Sequence, residues 1–307
     1  CDLARWSRFL ADYHPPADTT KHILLPSQYF FSAPPDSFDP ATMPRILRFD
    51  RAVKAMPSLQ RPKRLTIHCH DGQAREYLVK GGEDLRQDQR IEQMFSLMNS
   101  LPLARRSRLR TYSVVPLSMN VGMLDWVPNT VPLKMLLDQR MSASNPDLKS
   151  NLQMKYGAPP LTPDPDYFGV KPRHVVVHDF QSLQLLDPDT LDGLLVKCLS
   201  DICTSFQAFF HVRQNFATSL AQVSACSYIL GIGDRHLDNF LVDRATGDPV
   251  TIDFGRSFGF ATEFLPIPEL IPFRLTPQLQ TVLQPLPTKE VLRHDMIACM
   301  TALRNHR

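Results

Sequence analysis

The sequence predicts an α+β protein in which a small strand-rich lobe is followed by a larger, mainly helical lobe. Two observations support this: apolar and polar residues alternate over 64–80, whereas apolar residues recur at helical spacing after residue 191. The 307 residues suggest two units of roughly 150 residues each, and a hydrophobic content of 43% is ordinary for globular proteins. We therefore expect an irregular, proline-rich lead-in over 1–44, an N-lobe over 45–127 and a C-lobe over 128–307.

Composition and charge exclude several classes of protein. With 34 basic and 31 acidic residues the net charge is +3, too small for a protein that coats nucleic acid through charge alone. No apolar run reaches the ~18 residues of a membrane span, so we expect no membrane partner. The six cysteines form no C-x-x-C pair and are typical of reduced thiols. Because the chain begins with Cys1, we expect a fragment of a longer protein.

The predicted N-lobe is built on a β-hairpin. The segments RLTIHCH (64–70) and AREYLVK (74–80) alternate as strands do, and the Asp-Gly pair at 71–72 is typical of the turn between them. Two further strands are predicted, over 109–117 and 122–127.

A helix is predicted directly after this hairpin. Glu83 and Asp84 are expected in its first turn, where acidic side chains interact favourably with the helix dipole. Residues at i, i+3, i+4 and i+7 predict its buried face: Ile91, Met94, Phe95 and Met98.

The predicted C-lobe begins with a proline-rich insertion at about 140–190, which we expect to be a long loop. One apolar helical stripe is then predicted from Leu195, Cys198, Leu199, Ile202, Phe206 and Phe209. A second helix is predicted from Phe216, Leu220, Val223 and Leu230, and it ends near Gly231. A hairpin is expected over 240–252.

The segments GIGDRHLDNF (231–240) and IDFG (252–255) carry the strongest chemical signal. Asp234 precedes Asn239 by five positions, and Asp253 follows Asn239 by fourteen, across the predicted hairpin. Phosphoryl transfer from ATP needs one carboxylate that orients or deprotonates the acceptor hydroxyl, and an Asn and a second Asp that hold Mg²⁺. Alternatively, these residues only cap turns in a polar loop. The two motifs at this spacing favour phosphoryl transfer.

A phosphate-binding lysine is predicted at Lys80, the last residue of a strand. The helix that follows carries Asp88 and Glu92, one turn apart on one face. Either carboxylate would orient the lysine, as a Lys–Glu pair does in kinases. The alternative is a solvated surface charge, the usual state of lysine.

The sequence contains no G-x-G-x-x-G loop to cover the phosphates. We therefore predict that Ser58 and backbone N–H groups of MPSLQRPKR (56–64) contact phosphate. The alternative for this segment is a basic, solvated turn.

Four segments resemble the phosphatidylinositol 3-kinase-related protein kinase family: VKGGEDLRQDQRIEQMF, LRTYSVVPLS, GIGDRHLDNF and IDFGRSFGFATEFLPIPELIPFRLT. The resemblance covers about 45–127 and 195–280, is weak over 1–44 and is nearly absent over 140–190. It implies a bilobal protein-kinase-like fold of the PI3/PI4-kinase type, with ATP and Mg²⁺ as cofactors. It also implies a short C-terminal helical segment, which we do not find before Arg307 and expect to be missing.

The resemblance assigns nucleotide-binding roles to residues of the N-lobe. It implies that Lys80 contacts the ATP phosphates and that Asp88 is its acidic partner. Tyr112 would lie with Asp88 at the back of the adenine pocket. Trp126 and Val127 would form the hinge beside the adenine.

The resemblance also assigns catalytic roles in the C-lobe. Asp234 would be the catalytic aspartate and His236 would approach the γ-phosphate, while Asn239 and Asp253 would bind Mg²⁺. His236 is alternatively a hydrogen-bonded structural residue. The segment 253–274 would be the activation loop, which reads the substrate.

The activation loop distinguishes a protein substrate from a lipid. A phosphoinositide headgroup carries several negative charges, which several Lys or Arg side chains would have to match. The loop over 254–273 has one basic residue, Arg256, against Glu263 and Glu269. We therefore expect a protein substrate, and the resemblance implies Ser or Thr followed by Gln.

Within the family, RPKRLTI, GGEDLRQDQR and FLPIPELIPFRLT are most similar to the member that acts in DNA double-strand-break repair by non-homologous end joining. This implies a nuclear protein that meets the Ku heterodimer and DNA ends through parts outside this chain. The alternatives are another kinase of the family, in DNA-damage or growth signalling, a phosphatidylinositol kinase, or a catalytically dead scaffold.

Overall fold

The computed structural model describes residues 1–26, 43–58, 60–101, 108–144, 193–263, 271 and 273–306. These residues form two compact units. The first contains Cys1–Met98 and Thr111–Pro128, and the second contains Asn99–Arg110 and Asn129–Arg307. The first unit is rich in strands and the second is mainly helical, which confirms the predicted α+β fold class. The lobe boundaries given above stay predictions, and most of the proline-rich insertion, from 145 to 192, lies outside the described residues.

The first unit is built on a six-stranded sheet of antiparallel pairs in the order β1-β3-β4-β6-β5, with β2 paired to β3. Its strands are β1 Ile46–Phe49, β2 Lys54–Ala55, β3 Lys63–Cys69, β4 Ala74–Gly81, β5 Val114–Ser118 and β6 Val121–Asp125. Strands β3 and β4 form the predicted hairpin, so that prediction is confirmed.

The two faces of this sheet have different characters, because side chains alternate along each strand. One face is apolar and packs into a core that includes Leu65, Ile67, Tyr77 and Met123. Leu3, Tyr13 and Leu25 complete that core from the chain segment that precedes the sheet. This segment contains the short helix α1, Arg8–Ala11, and two 3-10 turns, Leu3–Arg5 and Thr19–Lys21. The opposite face is the one on which Lys80 lies.

Helix α2, Arg86–Ser100, follows β4. Glu83 and Asp84 lie before its first residue, so their predicted position in the first turn is wrong; the Asp84 carboxylate accepts the N–H of Arg86 at 3.1 Å. Of the predicted buried face, Ile91, Phe95 and Met98 are buried, whereas Met94 is 38% exposed. The reason is that two carboxylic acids, Asp88 and Glu92, are also buried and rotate the buried face away from Met94.

The second unit combines a small antiparallel sheet with helices. Its strands are β7 Thr130–Pro132, β8 Phe240–Asp243 and β9 Pro249–Thr251, in that spatial order. Its helices are α3 Leu133–Ser144, α4 Leu194–Asp201, α5 Phe206–Leu230, α6 Phe260–Glu263, α7 Pro277–Leu283 and α8 Thr288–Asn305. Helix α8 packs against α5, and strands β8 and β9 form the predicted hairpin.

The prediction of one helical stripe from Leu195 to Phe209 is wrong, because the helical conformation is interrupted between α4 and α5. Ser205 caps α5: its hydroxyl accepts the N–H of Ala208 at 3.1 Å, and Phe206, the first residue of α5, is 95% exposed. The apolar spacing continues across this interruption, so the sequence pattern predicted one helix where the capping residue Ser205 begins a second one.

Helix α5 ends as predicted at Gly231, which adopts the left-handed conformation with φ +55°. A Cβ atom at Gly231 would lie 2.6 Å from the backbone nitrogen of Gly259, so both the conformation and the available space require glycine.

The β8–β9 hairpin is attached to the side of α5. The amide of Asn215 donates to the carbonyl of Thr246 at 3.0 Å, and the hydroxyl of Ser219 donates to the carboxylate of Asp248 at 2.6 Å. At the tip, a Cβ atom on Gly247 would lie 2.5 Å from a methyl group of Val212. The hairpin is therefore held on the helix that leads into the GIGDRHLDNF segment.

Candidate active site

The loop after α5 places Asp234 beside Asn239. Asp234 has a positive φ of 59°, and a 3-10 turn, Leu237–Asn239, follows it. The side-chain amide of Asn239 donates to the carbonyl of Asp234 at 2.9 Å, and Asn239 itself is buried. The spacing of five residues in the sequence therefore closes a compact loop in which the Asn239 side chain contacts the backbone of Asp234.

The chain brings Asp253 to the same loop after β9. The N–H of Ile252 donates to the carbonyl of Asn239 at 3.1 Å, which connects the two segments directly before Asp253. Asp253 also has a positive φ, 62°, a conformation that non-glycine residues adopt infrequently. The second unit thus brings together three of the predicted site residues, Asp234, Asn239 and Asp253.

Arg235 links these two segments and was missed by the sequence analysis. Its side chain is buried, with the residue only 4% exposed. The guanidinium donates to the carbonyl of Gly233 at 2.8 Å, to the carbonyl of Ile252 at 2.8 Å and to the carbonyl of Asp253. One buried cation therefore satisfies main-chain oxygens from both sides of the site. The sequence signal that could have indicated this role is the position of Arg235 between Asp234 and His236, two predicted catalytic residues.

Asn239 and Asp253 fit a magnesium ion. Because the Asn239 amide nitrogen donates to Asp234, its amide oxygen remains for a ligand. Amide and carboxylate oxygens are hard donors that Mg²⁺ prefers, and Mg²⁺ commonly binds one or two such groups together with substrate phosphates. Among the described residues, no group of three or more His, Cys, Asp or Glu side chains could hold a metal ion.

His236 and Asp238 are the exposed members of the loop. His236 precedes the 3-10 turn, and its side chain makes no capping hydrogen bond there. Asp238 forms an ion pair with Lys134, at 3.4 Å between Oδ2 and Nζ, in which both side chains are about half exposed. The carboxylate of Asp238 therefore pairs with Lys134 at the surface.

In the first unit, Lys80 forms an ion pair with Glu83. The distance between the Lys80 Nζ and the Glu83 Oε1 is 3.3 Å, and the lysine side chain is only 13% exposed. Lys80 is therefore not a solvated surface charge, which was the alternative to a phosphate-binding lysine. Sequence reasoning missed Glu83 because it placed this residue inside the helix, where its carboxylate would serve the helix dipole.

Helix α2 buries Asp88 and Glu92. Glu92 is 1% exposed, its Oε2 accepts the N–H of Tyr112 at 3.1 Å, and its Oε1 has no hydrogen-bond partner among the described residues. Burial raises the pKa of Glu92 well above its usual range, and the nearby carboxylates of Asp88 and Asp125 raise this pKa further. Glu92 therefore keeps its proton to a higher pH than an ordinary glutamate, and it fixes the backbone at Tyr112.

Trp126 and Val127 follow β6 directly. The N–H of Trp126 donates to the carbonyl of Glu76 at 2.9 Å, and the guanidinium of Arg64 lies 4.2 Å from the centre of the Trp126 ring. Val127 is buried, whereas Trp126 is half-buried. These contacts fix the start of the segment that the sequence analysis assigned to the hinge.

Ser58 lies in the turn between β2 and β3 and is exposed. Its carbonyl accepts the N–H of Arg61 at 3.1 Å, and Arg61 has a positive φ of 45°. This turn shares the first unit with Lys80 and Trp126. The proposed activation loop lies largely in the second unit, but residues 264–270 and 272 are outside the described residues.

Comparison with known proteins identifies the family. The model of the phosphatidylinositol 3- and 4-kinase family matches residues 75–307. The chain is 36% identical to the DNA-dependent protein kinase catalytic subunit of Dictyostelium discoideum and 39% identical to that of Mus musculus, in each case over 99% of this chain and 8% of the relative. It is 37% identical to the serine/threonine-protein kinase tor1 of Schizosaccharomyces pombe over 76% of this chain and 10% of the relative.

The fold agrees with these relatives. A solved structure described as the FAT and kinase domain of CtTel1 aligns over 94% of this chain and 20% of its own, with a TM-score of 0.74 and 26% identity. No helix in the described ranges is both long and apolar enough to cross a membrane. The chain spans about 8% of the length of the DNA-dependent protein kinase relatives it matches. The match to the family model over most of the chain, together with the protein-kinase relatives, shows that the chain belongs to the phosphatidylinositol 3- and 4-kinase family.

Proposed function

We propose that this chain is the kinase part of a serine/threonine protein kinase that transfers the γ-phosphate of ATP to a hydroxyl group. The observation that carries the proposal is the network around Arg235 and Asn239, which holds Asp234, Asn239 and Asp253 in one loop system. Phosphoryl transfer depends on positioning and charge stabilisation, so a fixed arrangement of these groups is what the reaction requires.

In this mechanism Asp234 accepts the proton of the substrate hydroxyl as its oxygen attacks the γ-phosphorus. The bond between that phosphorus and the β,γ-bridging oxygen breaks, and ADP leaves. Asn239 and Asp253 would hold Mg²⁺, which supplies positive charge against the phosphates. The exposed His236 donates a hydrogen bond to the transferring group and stabilises its charge.

The first unit supplies the nucleotide-binding residues of the proposal. Lys80, oriented by Glu83, binds phosphate oxygens, and the turn at Ser58 contributes a hydroxyl and N–H groups. Trp126 and Val127 contact the adenine, and Tyr112 and Asp88 support the pocket from behind. Support comes from the low exposure of the Lys80 side chain and from the fixed backbone at Tyr112 and Trp126.

We further propose a protein substrate with Ser-Gln or Thr-Gln sites. Within 254–273 the basic side chain is Arg256, and its guanidinium lies 4.5 Å from the centre of the Phe260 ring. One such cation is a poor match for a multiply charged inositol phosphate. The similarity to catalytic subunits of DNA-dependent protein kinase supports a role in non-homologous end joining in the nucleus, with Ku and DNA ends as partners of the whole protein. The similarity to tor1 supports the alternative, a kinase of growth signalling.

Radiolabelled phosphate transfer by the full-length protein tests these proposals. The enzyme is offered Mg-ATP with a Ser-Gln peptide, the matched Ser-Ala peptide or phosphatidylinositol vesicles, with and without DNA ends. We expect transfer to the Ser-Gln peptide that rises with DNA ends and disappears in an Asp253→Asn variant. Transfer to vesicles alone would contradict the protein substrate, and equal transfer without DNA ends would favour the growth-signalling alternative. No transfer by a folded protein that binds ATP would support the scaffold.

A further inference from the structure

Three side chains lie side by side on the Lys80 face of the first sheet, two from neighbouring strands and one from the residue that follows a third strand. Arg64 is on β3, Glu76 is on β4, and Trp126 follows the end of β6. Arg64 pairs with Leu78 and Glu76 pairs with Thr66, so both side chains occupy the face of β4 to which Lys80 also belongs. Glu76 and Lys80 are four residues apart on β4, a separation of about 13 Å along a strand.

Arg64 is held rigidly by Glu76. Its Nε and Nη2 donate to Oε1 of Glu76 at 2.9 and 2.6 Å, and Nη2 also contacts Oε2 at 2.5 Å. Such a fork restricts the guanidinium plane far more than a single ion pair does. Both side chains are only partly exposed, at 27% and 37%, which reduces competition from water.

Glu76 therefore holds Trp126 in two ways. Its backbone carbonyl accepts the N–H of Trp126, and its carboxylate holds the guanidinium that lies 4.2 Å from the centre of the indole. A cation over the face of an indole is attracted to its electron-rich ring. Arg64 lies over one face of the ring of Trp126, which is half-buried. A planar base that stacks on this indole would use the opposite face.

We propose that Arg64 and Glu76 are positioning residues that hold the Trp126 ring in the orientation in which it stacks on the nucleotide base. This inference rests on the proposed function, because it deepens the role of Trp126 in the ATP site. Neither side chain touches the phosphates in this scheme; both act through the indole. Loss of Arg64 therefore weakens ATP binding, and it leaves the phosphoryl-transfer groups Asp234, Asn239 and Asp253 unaltered.

The chain offers a matched control one residue earlier. Lys63, also on β3, lies 4.5 Å from the centre of the other tryptophan, Trp6. Because it points to the opposite face of the sheet, a Lys63→Met variant removes the same kind of cation–aromatic contact away from the nucleotide. Comparison with Arg64→Met isolates the contribution of the contact at Trp126.

The experiment measures KM for ATP, kcat and the dissociation constant of ATP for the full-length protein. The dissociation constant is obtained by displacement of a fluorescent ATP analogue. We expect Arg64→Met to raise both KM and the dissociation constant by about three- to tenfold with kcat within twofold of wild type. Lys63→Met changes only a side chain on the opposite face of the sheet and keeps the backbone of β3, so we expect it to leave all three unchanged. Arg64→Lys keeps the charge without the fork, and Glu76→Gln weakens the fork, so both are expected to give intermediate values.

The outcomes separate this inference from the proposed function. Wild-type protein that binds no ATP would overturn the proposed function and this inference with it. Wild-type binding with equal dissociation constants for Arg64→Met and Lys63→Met would overturn only the inference. A loss confined to kcat would also overturn it, because a positioning residue of the base acts on binding. If Arg64→Met does not fold, the same comparison is decided by Arg64→Lys and Glu76→Gln.

Discussion

The side-chain amide of Asn239 donates a hydrogen bond to the backbone carbonyl of Asp234 at 2.9 Å. This bond determines which atom of Asn239 faces a ligand, and it joins a proposed metal-binding residue to the proposed proton acceptor. The two roles therefore depend on one short loop, whose geometry can be disturbed without removal of any oxygen donor.

An Asn239→Asp variant tests this coupling. It retains oxygen donors for a metal, but it replaces the N–H donor with an acceptor that repels the Asp234 carbonyl, so we expect kcat to fall by at least about tenfold. Peptide phosphorylation at saturating Mg-ATP measures this loss. Asp238→Asn, at the exposed neighbour that pairs with Lys134, is the control and should stay within twofold. Full activity of the Asn239→Asp variant would show that the bond to Asp234 is dispensable.

Replacement of Arg235 should destabilise the protein. An Arg235→Met variant leaves three carbonyl acceptors in a buried site without their donor, and we expect a loss of about 2–4 kcal/mol in the free energy of unfolding. Urea unfolding monitored by circular dichroism measures it. Arg256→Met, an exposed arginine that stacks on Phe260, should cost less than about 1 kcal/mol. Equal losses in the two variants would be incompatible with the role given to Arg235.

Buried Glu92 predicts a pH dependence of stability. Its pKa is raised in the folded state from an ordinary value of 4.5, so above that pH the unfolded chain ionises while the folded chain keeps the proton. The folded state then binds more protons than the unfolded state, and the contribution of Glu92 to stability falls as pH rises from 4.5 to the raised pKa. Below pH 4.5 the carboxyl is neutral in both states and this loss is absent.

A Glu92→Gln variant removes that titration and keeps an oxygen for the Tyr112 N–H. We expect its stability relative to wild type to increase as the pH is raised from 4.5 towards neutrality. Urea unfolding midpoints at several pH values measure the difference. A difference that is constant with pH would mean that Glu92 has an ordinary pKa in the folded protein.

Gly231 and Gly72 provide a matched pair of backbone tests. Both have a positive φ, but a Cβ at Gly231 would lie 2.6 Å from the nitrogen of Gly259, whereas a Cβ at Gly72 has no neighbour within 4 Å. Gly72→Ala should cost about 1–2 kcal/mol from the backbone conformation alone. Gly231→Ala should cost at least about 1 kcal/mol more, because the end of α5 must shift. Thermal unfolding compares them, and similar losses would exclude steric conflict at Gly231.

The sequence predicted elements that depend on local patterns. The β3–β4 hairpin follows from alternation and an Asp-Gly turn, and the end of α5 follows from Gly231. Met94 was assigned to the core because periodicity treats acidic residues as exposed, whereas Asp88 and Glu92 are buried. The break before α5 was missed because the hydroxyl of Ser205 interrupts an otherwise continuous apolar pattern.

Two sequence motifs supply the predicted residues that the structure brings together, and the chemical roles of these residues stay predictions. Asp234, Asn239 and Asp253 lie together in the second unit, but the role of Arg235 could not be deduced from its neighbours, because its partners are main-chain carbonyls. Glu83 was missed because the sequence predicted that α2 begins a few residues too early. Inside the helix its carboxylate would interact with the helix dipole, whereas before the helix it forms an ion pair with Lys80. The Arg64–Trp126 contact joins residues 62 positions apart and has no local signature.

The attachment of the β8–β9 hairpin to α5 has an evolutionary consequence. Asn215 and Ser219 fix both sides of the turn, and Val212 leaves no room at Gly247, so the hairpin is a spacer of constant length between Asn239 and Asp253. Loop tips usually tolerate insertions and deletions, but a single-residue change here would shift strand register and turn Asp253 towards the wrong side. Natural variation in this hairpin should therefore accumulate as substitutions, while its length stays the same.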